Sequence, residues 1–137
     1  MLCASWVSPW TLYLISINGI FVFEHPTGAS SWKLKRMQAL LNMKGLRRPV
    51  RLVTFHQCRF GLVAPVSKKP IRKSTRFLTN SQMVASTFDR VFCQCDVEHR
   101  QMQGSEGKYK LSKFCEQYPP ELCKALVASL AKEVEMS

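Results

Sequence analysis

The sequence predicts an α/β fold of three layers, ending in a C-terminal helix. Three observations predict it. Apolar runs of strand length alternate along the chain with segments of helical spacing. The run Ile20-Phe21-Val22-Phe23 is unbroken and rich in β-branched and aromatic residues, as expected of a strand covered on both faces in a parallel sheet. Leu122, Leu126, Leu130 and Val134 recur every four residues behind a double proline, the pattern of a helix with one apolar stripe.

Taken in order, residues 1–16 form an apolar N-terminal segment, and residues 17–137 form a single α/β unit with the character of a truncated domain. The first 23 residues hold no charged side chain. A signal peptide needs a positive start that is missing here, and Ser5, Ser8, Pro9, Thr11, Ser16, Asn18 and Gly19 break up any membrane span. No membrane is therefore expected, and the first strand runs from Ile17 to Glu24, with Pro26 stopping its ladder. Gly28 supplies a turn and Ser30 or Ser31 caps a helix containing Trp32, Met37, Leu40 and Leu41, which Gly45 closes. Pro49 to Phe55 is the second strand, and Gln57 to Leu62 continues it as a short strand or bend. After a loop from Ala64 to Ile71, Ser74 to Thr79 is the third strand, with Thr75, Phe77 and Thr79 on one face. Asn80 or Ser81 caps a helix reaching Phe88. Cys93 to Gly107 is irregular and polar, and Pro119-Pro120 with Glu121 opens a last helix to about Glu135.

The 137 residues, 46% of them hydrophobic, suffice for one domain with a modest core. Twenty Lys and Arg stand against nine Asp and Glu, a formal charge of +11 that favours polyanionic partners. One basic stretch holds Lys33, Lys35, Arg36, Lys44, Arg47, Arg48 and Arg51. The other holds Lys68, Lys69, Arg72, Lys73 and Arg76, and these five are the candidate contacts to DNA or RNA. The competing reading is a solvated basic face.

Cys3, Cys58, Cys93, Cys95, Cys115 and Cys123 are irregularly spaced, and Cys58 and Cys123 fall in apolar-periodic segments. Reduced thiols of a cytoplasmic or nuclear protein are expected, the buried ones acting as small hydrophobes. The metal candidates are Cys93, Cys95 and His99, with His56 or Cys58 completing a tetrahedron. Zinc ligands more often come in pairs about two to four residues apart, so loop and packing cysteines are the preferred reading and no metal is assigned. His56 and Cys58, two apart on an extended segment, would share a face, but nothing identifies the third group that a nucleophilic pair needs. Glu24, at the end of a buried strand, stands where doubly wound sheets bind ligands; capping or pairing with an arginine is the alternative. No glycine-rich nucleotide loop is present, and Asp89 and Asp96 are the only aspartates, which argues against a two-metal nuclease centre.

An ordered motif series runs from residue 20 to about 123: Glu24-His25-Pro26, Ser31-Trp32, Gln57-Cys58-Arg59-Phe60-Gly61, Lys73 to Asn80, Cys95 with His99, and Tyr118-Pro119. It resembles a segment of uncharacterised proteins related to copia-type retroelement polyproteins, and more distantly is similar to phage and viral cytosine-5 DNA methyltransferases. The resemblance implies a partial Rossmann-like, methyltransferase-like unit, with Glu24 as the residue contacting a target cytosine and Lys73 to Arg76 near DNA. The family's donor loop and Pro-Cys nucleophile motif have no counterpart in residues 1–16. S-adenosylmethionine is therefore expected only if another chain supplies the missing half. The expected function is that of an element-derived, non-catalytic fragment with weak nucleic-acid affinity. The alternatives are a DNA methyltransferase component completed by a second chain and a zinc-stabilised nucleic-acid-binding module. The first strand, left as an apolar edge, would favour self-association.

Overall fold

The computed structural model of the protein describes residues 11–136, so Cys3 and most of the apolar N-terminal segment lie outside the described residues. Three strands form the central sheet: β1 (Val22–Pro26), β2 (Arg51–His56) and β3 (Ser74–Thr79). Their order is β1-β3-β2, and β3 pairs antiparallel with both neighbours. Val22 and Arg51 both lie opposite Thr79, so β1 and β2 run the same way on either side of β3.

Successive side chains of a strand point to opposite faces, and the sheet uses both. Phe23 and Leu78 enter one core with Trp32, Met37, Leu40 and Val50. Val53, Phe55 and Phe77 enter the other with Val84, Ala85, Phe88 and Leu122. The first face is covered by a 3-10 turn (Ser30–Lys33), by α1 (Lys35–Leu41) and by Leu14 and Ile15 of a helical stretch at residues 11–16. The second is covered by α2 (Gln82–Phe88) and α4 (Pro120–Glu135). Between these two helices lie a small hairpin, β4 (Ser105–Glu106) with β5 (Tyr109–Lys110), and the short α3 (Leu111–Phe114).

The protein is thus a mixed α/β fold, but the Rossmann-like expectation is corrected: the sheet is antiparallel. The unbroken apolar run reports cover on both faces and carries no information about strand direction, and burial on both faces was misread as parallelism. The first strand also begins later than expected, at Val22 rather than Ile17. Gly19 and Phe21 are instead tied to the end of β3. Asn80 donates to the Gly19 carbonyl (2.8 Å) and accepts the Phe21 N–H (2.9 Å), while Thr79 Oγ1 donates to the Phe21 carbonyl (2.7 Å).

Smaller corrections have similar local causes. The first helix opens as a 3-10 turn without a side-chain cap and ends at Leu41; Gly45, with φ +72°, serves the loop beyond it. The Ser81 cap on α2 is present, its hydroxyl accepting the Val84 N–H. Along α4 the every-fourth stripe fails at its end: Leu122 is buried, but Val134 is 63% exposed. A helix turns once per about 3.6 residues, so a strict four-residue repeat drifts by roughly 40° per step. Ser129 and Glu133 take the inward places, and no helix among the described residues is long and apolar enough to cross a membrane.

Candidate metal centre

The ladder of β2 ends at His56, and the chain turns through a 3-10 turn (Gln57–Phe60) rather than continuing extended. The fully buried Gln57 fixes that turn. Its N–H donates to the Arg72 carbonyl (3.0 Å), and its side-chain amide donates to Thr75 of β3 (3.0 Å). Phe60 packs its ring against Phe55 and Phe88, and Gly61 ends the turn at φ +85°, a left-handed conformation that suits glycine. Cys58 is the residue this turn presents.

The opposing ligands come from the segment after α2. Residues 90–93 lie along the outer edge of β2: Arg90 N–H donates to the Thr54 carbonyl (2.9 Å), and His56 N–H donates to the Val91 carbonyl (3.0 Å). The chain then folds back through Cys93, Cys95 and His99. Arg100 N–H donates to the Pro70 carbonyl (3.0 Å) and fixes the far end.

As a result Cys58, Cys93 and Cys95 Sγ and a His99 ring nitrogen all lie within 4.8 Å of one another. Cys93 Sγ is 3.2 Å from His99 Nε2. Tetrahedral zinc with sulfur and imidazole ligands sets ligand atoms about 3.5–3.8 Å apart. The four atoms therefore need to move by about an ångström or less to enclose such an ion. Each ligand is partly buried, as in a small centre at the edge of a core.

The electrostatics of the thiols favour a cation. A hydrogen bond from the Cys95 N–H, 3.4 Å from Cys93 Sγ, is the largest influence on that thiol. Together with the Cys58, Cys95 and Arg72 side chains, it outweighs burial and brings Cys93 down to about 6. Burial, then hydrogen bonds and charge from Cys93 and Cys95, push Cys58 up to about 12. One thiol is ready to ionise and its neighbour is prevented from doing so, and a divalent cation reverses the second effect by taking the charge of both.

Of the two residues offered to complete the tetrahedron, Cys58 joins the cluster and His56 stands behind it. His56 is not the fourth ligand: its Nδ1 accepts the Cys93 N–H (2.9 Å) and so orients the Cys-x-Cys turn. Burial, then Arg72 and His99, hold His56 below its usual range, which keeps the ring neutral and able to accept. Cys58 was expected on an extended segment and stands on a turn. Cys123, expected among packing residues, is exposed, whereas Cys115 is buried beside Leu111. All five described cysteines are free thiols.

The remaining candidates are dispersed. Glu24 lies within β1 opposite Phe77, in an antiparallel sheet that has no parallel-strand crevice. Its partner is Tyr118, whose phenol is pushed up by burial, then by the Glu24 charge and their hydrogen bond. Lys73 Nζ donates to the Cys115 carbonyl (2.6 Å), and Arg76 Nε donates to Thr54 (3.2 Å), so both serve the fold. Lys68 and Lys69 are exposed, Lys69 pairing with Glu98 at 3.3 Å, and Arg72 lies exposed beside the thiols.

No family model matches the chain, and neither does any curated protein or solved structure. The motif series nonetheless has an account within the molecule. Trp32 Nε1 donates to the Pro26 carbonyl (2.8 Å), Gln57 and Thr75 join the turn to β3, Thr79 and Asn80 tie down Phe21, and Cys58, Cys95 and His99 converge. These side chains build the fold and the cluster.

Proposed function

We propose that the chain is a non-catalytic module whose fold is fastened by a structural zinc ion on Cys58, Cys93, Cys95 and His99, and which binds nucleic acid electrostatically. The observation that carries this reading is the convergence of four ligand atoms from two chain segments separated by β3 and α2. A centre with four protein ligands leaves no open position for a substrate, which favours a structural role. Three thiolates around a doubly charged ion leave one negative charge, which the Arg72 guanidinium beside Cys93 offsets. The charge of +11 supplies the attraction for a phosphate backbone.

A methyltransferase component has less support, because its argument rested on a Rossmann-like sheet and on Glu24 at a strand-end crevice.

The test is metal analysis of reduced, purified protein together with a binding titration. About one zinc per chain is expected, and nucleic-acid affinity falling steeply as salt rises. Protein free of zinc and fully folded overturns the metal reading, and binding indifferent to salt overturns the electrostatic one.

A further inference from the structure

Phe92 precedes the first metal-ligand cysteine of its segment by one residue and is itself 43% exposed. A single exposed phenylalanine is ordinary on a protein surface; what sets this one apart is how firmly it is held. Arg59 Nη1 donates to the Phe92 carbonyl (2.8 Å), and the Phe92 N–H donates to the Arg90 carbonyl (2.9 Å). Its ring leans on the His56 imidazole, with centroids 5.0 Å apart, and His56 is in turn locked by the Cys93 N–H. The residue before Val91, Arg90, sits at φ +59°, a left-handed conformation uncommon for arginine, at the bend where the chain comes to lie against Phe55 on the edge of β2.

The surroundings are cationic. Arg59, Arg72 and Arg90 are all exposed: the Arg59 guanidinium binds the Phe92 carbonyl, Arg72 acts on His56 and Cys93, and Arg90 is joined to Phe92 through its backbone carbonyl. Between residues 56 and 100 the chain carries eight Lys and Arg against three Asp and Glu, although Lys73 and Arg76 are engaged within the fold and Arg100 pairs with Glu106. One of those three, Glu98, is paired with Lys69. A rigid aromatic face among guanidinium groups matches one chemistry well: an unpaired base stacks on the ring while its flanking phosphates meet the arginines. A duplex keeps its bases stacked on one another and offers no such face.

We infer that Phe92, with Arg59, Arg72 and Arg90, forms a stacking site for single-stranded nucleic acid above the metal centre. This rests on the nucleic-acid reading proposed above and adds strand state and location to it. The test uses the full zinc-loaded chain and fluorescein-labelled oligothymidylate, oligouridylate and a duplex of equal length, read by anisotropy, with zinc content measured on every variant. Single strands should bind at least about tenfold tighter than the duplex. Phe92→Ala should lose about 5- to 100-fold in single-strand affinity, Phe92→Leu should lose nearly as much, and Phe92→Trp should retain binding, all with zinc unchanged. The two oligonucleotides distinguish DNA from RNA.

Unaltered binding by Phe92→Ala, or a duplex bound as tightly as a single strand, overturns the stacking site while leaving the broader reading intact. A zinc-loaded wild type that binds none of the three probes overturns both. Equal losses in Phe92→Ala and Phe92→Trp, with zinc retained, overturn a role for the aromatic face.

Discussion

At the scale of single residues, the same side-chain chemistry has different consequences depending on what surrounds it. Cys58 and Cys123 are both free thiols, one in the four-ligand cluster and one exposed on α4. Cys58→Ser is expected to drop bound zinc from about one per chain to well below half, with a lower melting temperature, whereas Cys123→Ser should alter neither; metal analysis and thermal unfolding decide. Glu133 is a second case. Burial raises its carboxyl, but the Met83 N–H, the Ser81 hydroxyl and Arg48 outweigh that and hold it below its ordinary value. A carboxyl depressed in the folded state contributes stability that is complete above its unfolded value, near 4.5, and is lost as pH falls through the folded one. Denaturant titrations should therefore show wild-type stability declining below about pH 4.5 more steeply than that of Glu133→Gln. At neutral pH the variant should be less stable by about 1–3 kcal/mol, since a neutral amide gives up the charge-assisted contact to Arg48 at 2.6 Å. The cysteines and His99 were visible in the sequence as ligand types, but their convergence was not. It depends on the Gln57 turn and the β2 edge contact, both of which join residues distant along the chain.

Among the elements, those with local signals were readable. The final helix was bounded correctly, from its prolines and the acidic Glu121 of its first turn to about Glu135, β3 was found whole, and of the two cap candidates Ser81 serves. What failed was orientation. An apolar run specifies that two faces are covered, and only partner strands specify direction. The loop from Gln57 to Lys73 brings β3 back between β1 and β2, and no single segment encodes that placement. Within α4 the drift of the four-residue stripe makes a contrast that can be measured. Leu122→Ala, at a site with no exposure, should cost about 3 kcal/mol, and Val134→Ala, 63% exposed, under about 0.5 kcal/mol, both by chemical denaturation. Equal costs would mean that α4 is rotated from its described position.

Over the whole molecule, two cores on either face of a thin sheet are joined to a third, smaller cluster of Leu62, Ala64, Ile71, Leu111 and Cys115. Few buried apolar side chains anchor the stretch between Phe88 and Leu111. It is held by backbone bonds to β2, by Glu106, which receives the Ser67 N–H at 2.9 Å and Arg100 at 3.0 Å, and by the four-ligand cluster. The cluster joins residue 58 to residues 93–99, so a bound ion would close a long loop and restrict the unfolded chain much as a disulfide does.

That arrangement makes the outer edge of β2 conditional. Its Thr54 carbonyl and His56 N–H are satisfied only while residues 90 and 91 lie against them. Treating the protein with a strong chelator should release this flap and leave a bare strand margin, open to pairing with the same margin of another copy. Light scattering should then rise with protein concentration after chelation and fall again when zinc is restored. Scattering that stays flat would mean that the flap holds without its ion.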